Sequence, residues 1–449
     1  MESFHKKQFN KRLFTLVLPI AFQNFMTAAV GASDALMLGG VNQDSLSAVS
    51  LASQVYFILS LFFAAITIGT TILAAQYWGK GDFNSIEKIL GIVLKISFVI
   101  SLLFFVVSVF FPNRLMMIFT TDQSLIIKGA DYLRIVGVSY LFSGISQVML
   151  CIMKNSGNAV KSTMISSISV ILNIILNYLF IFGKFGLPAL GIAGAAIATV
   201  VSRGLEMLWT VRESFRKDSI KIRIKYILHR DQALESDILR YTMPVMGNEL
   251  IWGCGFTMYS VIMGHLGSDA VAANSIANII KNIVACVCLG IGSGGGIIVG
   301  NELGSGKLKI ARQAGDYLCK VSIIAGIVSG GFLLLISPFI VSFAGLSDIS
   351  QGYLKRMLLM CSYYMIGKSV NSTVIAGIFC AGGDSKFGLF CDAIVMWVII
   401  IPIGLICAFY WKVLVWIVYF VLSLDEFIKF PAVYIHYKKY NWVKNVTRS

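Results

Sequence analysis

Charge is what this sequence has least of. Only 13% of its 449 residues are charged, about half the share of an ordinary soluble domain. Too few are present to clothe a water-facing globule of this size. Histidine is nearly missing too: positions 5, 229, 265 and 436 are scattered over loops and ends. No clustered metal ligands, nucleophile elbow or phosphate loop stands beside them, which excludes the common enzyme sites. The nine cysteines contain no C-x-x-C pair, and Cys286 and Cys288, the closest two, lie inside an apolar run. An odd count in apolar settings argues for small packing residues rather than a disulfide framework. A cleavable leader is not evident either. The first apolar stretch, Leu13 to Leu38, is too long for a signal core and lacks a small-residue cleavage site.

What is present is apolar. Hydrophobic residues make up 57% of the chain, with 41 glycines and seven prolines, both better tolerated in membrane helices than in soluble ones. A helix needs about 20 largely apolar residues to cross a bilayer. About twelve segments qualify, near 13–40, 51–77, 88–111, 130–153, 161–183, 190–212, 238–265, 275–301, 311–340, 352–380, 387–409 and 412–435. The net charge of +15 gathers in three clusters: Lys6, Lys7, Lys11 and Arg12; Arg212 to Arg230; and Lys438, Lys439, Lys444 and Arg448. Basic loops stay on the cytoplasmic side, so both termini and the central linker are expected inside a multi-pass cell-membrane protein. No aromatic-basic surface accompanies the charge, which argues against nucleic acid as a partner.

The sequence repeats itself. Pro19 and Pro244 stand 225 positions apart, and the same offset relates Gly39 to Gly264, Asp44 to Asp269, Ala48 to Ala273, Ser50 to Ser275 and Gly79 to Gly304. Further on, Asn155-Ser156-Gly157-Asn158 meets Ala381-Gly382-Gly383-Asp384 at 226. Six spans per copy leave the copies in the same orientation, which implies a pseudo-twofold axis along the membrane normal. The expected fold is therefore all-α, with a six-helix lobe over 1–216, a basic linker over 217–237, and a second six-helix lobe with a basic tail over 238–449.

Polar residues at membrane depth are costly, so each is a functional candidate. Asn24, Thr27, Gly31 and Asp34 are spaced to share one face of the first helix. Pro19, where a backbone hydrogen bond is lost, makes that helix a plausible hinge. Ser166, Ser169, Asn173 and Asn177 form a second stripe, and Thr199 follows in the next helix; hydroxyls and amides there can equally be glue between helices. In the second copy Glu249 occupies the repeat position of Asn24, and Tyr259 that of Asp34. Lys368 shares a face with Tyr364 and Asn371. Glu249 and Lys368 both fall near mid-depth and are expected within ion-pair reach, directly or through water, which would relieve both desolvation costs. Lys281 and Asp392 are further intramembrane charges. Gly290, Gly292 and Gly295 fit a dinucleotide-binding pattern, but no strand precedes them. Gly292, Gly296 and Gly300 recur every four residues, the spacing of close helix packing.

The run Pro19…Asp34…Gly39, then Leu46-Ser47-Ala48-Val49-Ser50 and Ala75-Gln76-Tyr77-Trp78-Gly79-Lys80-Gly81-Asp82, resembles the multidrug and toxic compound extrusion (MATE) family, prokaryotic branch. So do Asn173 and Asn177 followed by Gly183, the run Gly191 to Thr199, Pro244…Asn248-Glu249…Trp252, Gly264-His265-Leu266-Gly267 and Ala381-Gly382-Gly383-Asp384. The resemblance implies an antiporter that exports cationic or amphipathic compounds in exchange for protons or sodium ions. It maps the coupling acid onto Asp34, with Asn173, Asn177 and Thr199 beside it, and Asp34 would also be the sodium ligand. Relatives often carry Asp where this chain has Asn177, so one carboxylate is missing. Asn248, Glu249, Trp252, Tyr259, Lys368 and Asn371 are expected around a polar or substrate cavity of the second lobe. Alternating access by rocking of the lobes, a monomer, small-molecule partners such as organic cations, and no cofactor beyond the coupling ion complete the expectation. The rival is a lipid-linked oligosaccharide flippase or polysaccharide exporter of the same superfamily. It would need a strongly basic cavity, for which Lys281 and Lys368, opposed by Glu249 and Asp392, are the clear intramembrane bases.

Overall fold

The computed structural model describes residues 5–186, 188–217, 219–228 and 231–448. His229 and Arg230, at the end of the central basic cluster, lie outside them. Among the described residues all regular structure is helical. The long helices are α1 (Lys6–Gly39), α2 (Gln43–Lys80), α3 (Phe83–Phe110), α4 (Gln123–Asn155), α5 (Ala159–Phe182), α6 (Gly191–Ser214), α7 (Gln232–Gly264), α8 (Ser268–Gly304), α9 (Leu308–Phe343), α10 (Asp348–Asn371) and α11 (Lys386–Tyr410). α10 runs on as a π-helix over Ser372–Phe379, and α11 contains two π stretches, Ala393–Ile400 and Ile406–Tyr410. The twelfth helix, α12, comes in three pieces: Val415–Leu422, Asp425–Ile428 and Phe430–Lys438.

All twelve expected spans fall on these helices. Nine of the described helices are apolar and long enough to cross a membrane by length and composition. The other three are α7, α10 and α12, which carry Glu249, Lys368, and Asp425, Glu426 and Lys429. The expected continuous span at 412–435 needs correction, because α12 is broken after Leu422 and again at Lys429. Pro431 has no N–H to return to the Phe427 carbonyl, and its ring crowds that oxygen.

The chain sorts into two compact units. One, the N-unit, comprises Phe25–Ala74 and Asp82–Leu239; the other, the C-unit, comprises Arg240–Ser449 together with Met1–Asn24 and Ala75–Gly81. α1 therefore passes from one unit to the other just beyond Pro19. In the N-unit the core is apolar side chains such as Ala52, Leu59, Leu133 and Ala196, all fully buried. Ser97 donates to the Gly144 carbonyl (2.8 Å), joining α3 to α4. The central linker is held to α3 by the Arg223–Glu87 and Lys88–Asp231 ion pairs.

The C-unit shows the membrane pattern clearly on α9. Ile324, Val328, Phe332, Leu335, Phe339 and Phe343 recur every three or four residues and are all more than half exposed. The buried face of α9 is instead made of small residues, including Ser322, Gly326, Ser329 and Gly330. A Cβ on Gly326 would lie 2.6 Å from Ile366 Cα, and Gly330 abuts the Ser362 backbone. Small residues inside and bulky apolar ones outside suit a lipid surround, where close backbone approach drives helix association. Ser369 donates to the Ser322 carbonyl (2.7 Å) across the same seam.

The glycines at 292, 296 and 300 pack as their spacing predicts. A Cβ on them would meet the Ser372 carbonyl (2.8 Å), Gly377 Cα (3.0 Å) and Ala75 Cβ (2.8 Å) in turn. The last contact opens a reciprocal crossing of α2 and α8. Gly79 abuts the Asn301 backbone, while Gly304 abuts the Gln76 backbone. These four residues exchange places under the 225-residue offset, and Ala75 exchanges with Gly300. Such i-to-j and j-to-i contact is the mark of a twofold relation. Gly81 and Gly306, also 225 apart, both take φ +78°, the left-handed turn that favours glycine.

A tail closes this end of the C-unit. Trp442 is fully buried, with its ring against Gly315 and its backbone against Gly382. Gln76 donates to the carbonyls of Ala381 (2.7 Å) and Lys444 (3.1 Å), and accepts from Val446 N (2.8 Å). Lys80 donates to the Arg448 carbonyl (2.5 Å).

Candidate functional site

In the N-unit the polar stripes of α5 and α6 meet the acid of α1. Asn177 Nδ2 donates to Asp34 Oδ1 (2.5 Å) and lies 3.2 Å from Asn173 Oδ1. Asn173 Nδ2 in turn reaches Thr199 Oγ1 (3.4 Å) and Ser202 Oγ (3.2 Å). Ser169 donates to the Ser202 carbonyl (2.9 Å). Asp34, Asn177, Asn173 and Thr199 thus form one connected chain across three helices. Asn177 is fully buried, and its Oδ1 has no hydrogen-bond partner. An orphaned amide oxygen beside a carboxylate is a hard-oxygen acceptor awaiting a donor or a cation. On the remainder of the α1 stripe, Asn24 is half-buried, while Thr27 and Gly31 are exposed.

Asp34 is not alone with neutral partners, as the sequence suggests. Arg203, on α6, acts electrostatically on Asp34 and is tied to buried Glu206 at 2.8 Å. Ser146 lies 3.4 Å from the same Glu206 oxygen. The pair lies beyond Thr199, on the C-terminal half of α6. Its i,i+3 spacing was the available signal, hidden by closeness to the basic cluster that begins at Arg212.

In the C-unit the direct pairing of charges is a different one. Lys368 makes its ion pair with Glu426 (3.5 Å) rather than with Glu249. Glu249 and Lys368 feel each other's charge, but among the described residues Glu249 has no ion-pair partner within 4 Å. Glu426 is the hub instead. It accepts from Asn371 through both its carbonyl and Oε2 (2.7 Å each) and from Tyr364 (3.4 Å). Lys429 faces Glu426 at 3.7 Å and Asp392 at 2.6 Å. With its amide nitrogen turned toward them, Asn248 donates to Asp392 Oδ2 (3.0 Å) and to the Gly388 carbonyl (2.9 Å). Lys368 Nζ also stands 5.2 Å from the Trp252 ring, which stacks on Phe256. Asn248, Trp252, Lys368 and Asn371 are thereby brought into one network, while Tyr259 joins a neighbouring cavity wall. Lys429 and Arg203 are added to the intramembrane bases. Asp425, Glu426 and Lys429 escape a sequence reading because they lie late in the final span, close to the basic tail, where charges pass for a helix end. Both π stretches nearest the network begin at its members: one follows Asn371, the other Asp392. Wide turns of this kind often mark functional sites.

Comparison with known proteins fits this architecture. The MatE family model matches residues 19–179 and 244–406, two copies that begin at the repeated prolines. The chain is 24% identical to the uncharacterized transporter YisQ of Bacillus subtilis, over 87% of this chain and 86% of that protein. It is also 24% identical to multidrug resistance protein MdtK of Pectobacterium atrosepticum, over 89% and 87%. Among solved structures, a Vibrio cholerae MATE transporter, VcmN, superposes with a TM-score of 0.88 at 16% identity, covering 98% of this chain and 99% of that one. The fold is theirs, and the double match covers well over half the sequence: the chain belongs to the MatE family of multi-pass membrane transporters.

Proposed function

We propose that this chain exports amphipathic small molecules across the cell membrane in exchange for a cation, a proton or a sodium ion, taken up at Asp34. Relatives that bear multidrug resistance names support the export reading. The connected chain Asp34–Asn177–Asn173–Thr199 with the free oxygen of Asn177 carries the cation reading. Asp34 supplies the negative charge. Asn177 Oδ1 and Thr199 Oγ1 supply the hard oxygens that would complete the shell of a sodium ion or hold a proton-bearing water. Arg203 keeps the site from holding a carboxylate without any positive neighbour. Inward movement of one cation draws roughly 2.3 kcal/mol per 100 mV from the membrane potential. α1 carries Asp34 in one unit and Pro19 in the other, so occupancy at Asp34 has a covalent route to the proline. The chain works as a monomer with both termini in the cytoplasm. The charges of the C-unit do not favour a pyrophosphate-linked lipid: Lys281, Lys368 and Lys429 are set against Glu249, Asp392, Asp425 and Glu426.

The test is transport in proteoliposomes of the full chain with a proton or a sodium gradient imposed separately. One gradient should drive export of a cationic dye, and Asp34→Asn should remove that drive while leaving the protein folded. Full gradient-driven export by Asp34→Asn would overturn the assignment.

A further inference from the structure

Arg203 and Glu206 on α6 form the most buried ion pair among the described residues of the N-unit. Their side chains are 16% and 0% exposed, whereas each of the other ion pairs there has a lysine or arginine at least 33% exposed. A pair taken out of water brings little net stability, because desolvation of both ions offsets their attraction. As a staple between helices this one does little. Its partners stand three residues apart on the same helix, and the hydrogen bond that links it to α4, from Ser146, is long at 3.4 Å. Glu206 Oε1 is buried with no hydrogen-bond partner. The position of the pair is more telling. Arg203 follows Thr199 by four residues and shares its helix face, and the bonds from Thr199 run through Asn173 and Asn177 to Asp34. Two carboxylates act on Arg203: Glu206, in contact at 2.8 Å, and Asp34, beyond 4 Å. Two carboxylates and one guanidinium sum to one negative charge, which one proton or one sodium ion balances.

We propose that Glu206 is a positioning residue for cation uptake: it holds the guanidinium of Arg203 and so keeps this tethered cation from neutralising Asp34. The inference rests on Asp34 being the coupling acid and adds the residue that keeps that acid available. A charge-assisted hydrogen bond fixes the guanidinium on Glu206. The attraction of Asp34 for it is weaker, because Coulomb energy falls with distance. Were Glu206 neutral, Asp34 would be the carboxylate left to the guanidinium. The site would then be balanced from within, and an incoming cation would have to displace a tethered one. Exchange transport needs a cation that arrives and leaves, and Arg203 does neither. Were Arg203 neutral instead, Asp34 would lose its positive neighbour and hold its cation more tightly.

The test is the cation dependence of export in proteoliposomes of the full chain. Export of a cationic dye is measured against the concentration of the driving ion, sodium or proton, to give a half-saturating concentration and a maximal rate. Glu206→Gln should raise the half-saturating concentration about tenfold, the effect of bringing an opposite charge within reach of a carboxylate. Arg203→Met should lower it and also lower the maximal rate, because a cation held more tightly leaves more slowly. The double variant should return it close to the value of the unaltered protein. A pair that only supports folding would change the amount of active protein, and with it the maximal rate, but would not move the half-saturating concentration. An unmoved value in Glu206→Gln, or a rise that Arg203→Met does not reverse, overturns the assignment. Should Glu206→Gln fail to fold, Arg203→Met decides: a half-saturating concentration equal to that of the unaltered protein overturns it. Asp34→Asn is run beside them. Full gradient-driven export there removes the coupling reading and this inference together, whereas loss of drive there with an unmoved Glu206→Gln removes this inference alone.

Discussion

Glu426 ties α10 to α12 in the C-unit through contacts that helical spacing does not reveal. It is 2% exposed and bonded to Asn371 and Tyr364, with the ammonium groups of Lys368 and Lys429 on either side. Removing its charge leaves the buried Lys429 and the half-buried Lys368 each short of a partner. Breaking a buried pair from one side costs about 3–5 kcal/mol, so Glu426→Gln should lower the thermal midpoint of the purified protein clearly. Lys368→Met should cost less, because Glu426 keeps Lys429 and Asn371. The double variant should fall short of the sum, as expected for contacting residues. Asp34 and the Asn173–Asn177 pair are legible in the sequence because a local rule, one helical face, exposes them. Glu426 is not, because its partners come from α10 and from the next turn of α12. Such pairing is a fact of packing, and helical spacing predicts only which residues share a face. Lys368 shows the same limit: its direct partner is Glu426, while Glu249 acts on it from beyond 4 Å.

At the scale of the element, glycine decides which helices touch. Gly79 and Gly304 sit where α2 and α8 cross, each against the other's backbone. A methyl there has backbone to displace, so Gly304→Ala should destabilise the protein or prevent its folding, seen as loss of a monodisperse peak on size exclusion. Gly81→Ala is the control. Its Cβ would have open space around it, and the left-handed φ alone should cost about 1–2 kcal/mol. The helix count and order are legible because about 20 apolar residues in a row leave few alternatives. The break in α12 is less so: Pro431 signals it, but the turn at Ser423 and Leu424 lies well before the proline. The π turns after Asn371 and Asp392 have no sequence signal in this chain.

For the whole molecule, the duplication organises both structure and topology. Two family matches begin 225 residues apart, and the same offset relates the partners of the α2–α8 crossing. The copies have nevertheless diverged in charge. One holds a single carboxylate in an amide chain with Arg203 and Glu206 behind it, and the other holds a lysine–carboxylate network. The excess of basic residues in the linker predicts that it lies on the cytoplasmic side. A single cysteine placed at Lys221, with exposed Cys254 changed to serine, should react with a membrane-impermeant maleimide in inverted vesicles and not in intact cells. Labelling in intact cells would reverse the orientation.

The tail adds a matter of timing. Gln76 is bonded to Val446, 370 positions later in the chain. At 5–20 residues per second, a ribosome takes roughly 20–70 s to cover that distance. Throughout that interval the C-terminal end of α2 carries an amide with no partner from the tail, beside a glycine, Gly79, whose neighbour on α8 arrives only midway. The newly made protein must therefore wait, half assembled, with a polar seam open. Removal of residues 442–448 would make the wait permanent, and such a chain should be a preferred substrate for membrane quality-control proteases, with a shorter half-life in a pulse–chase experiment.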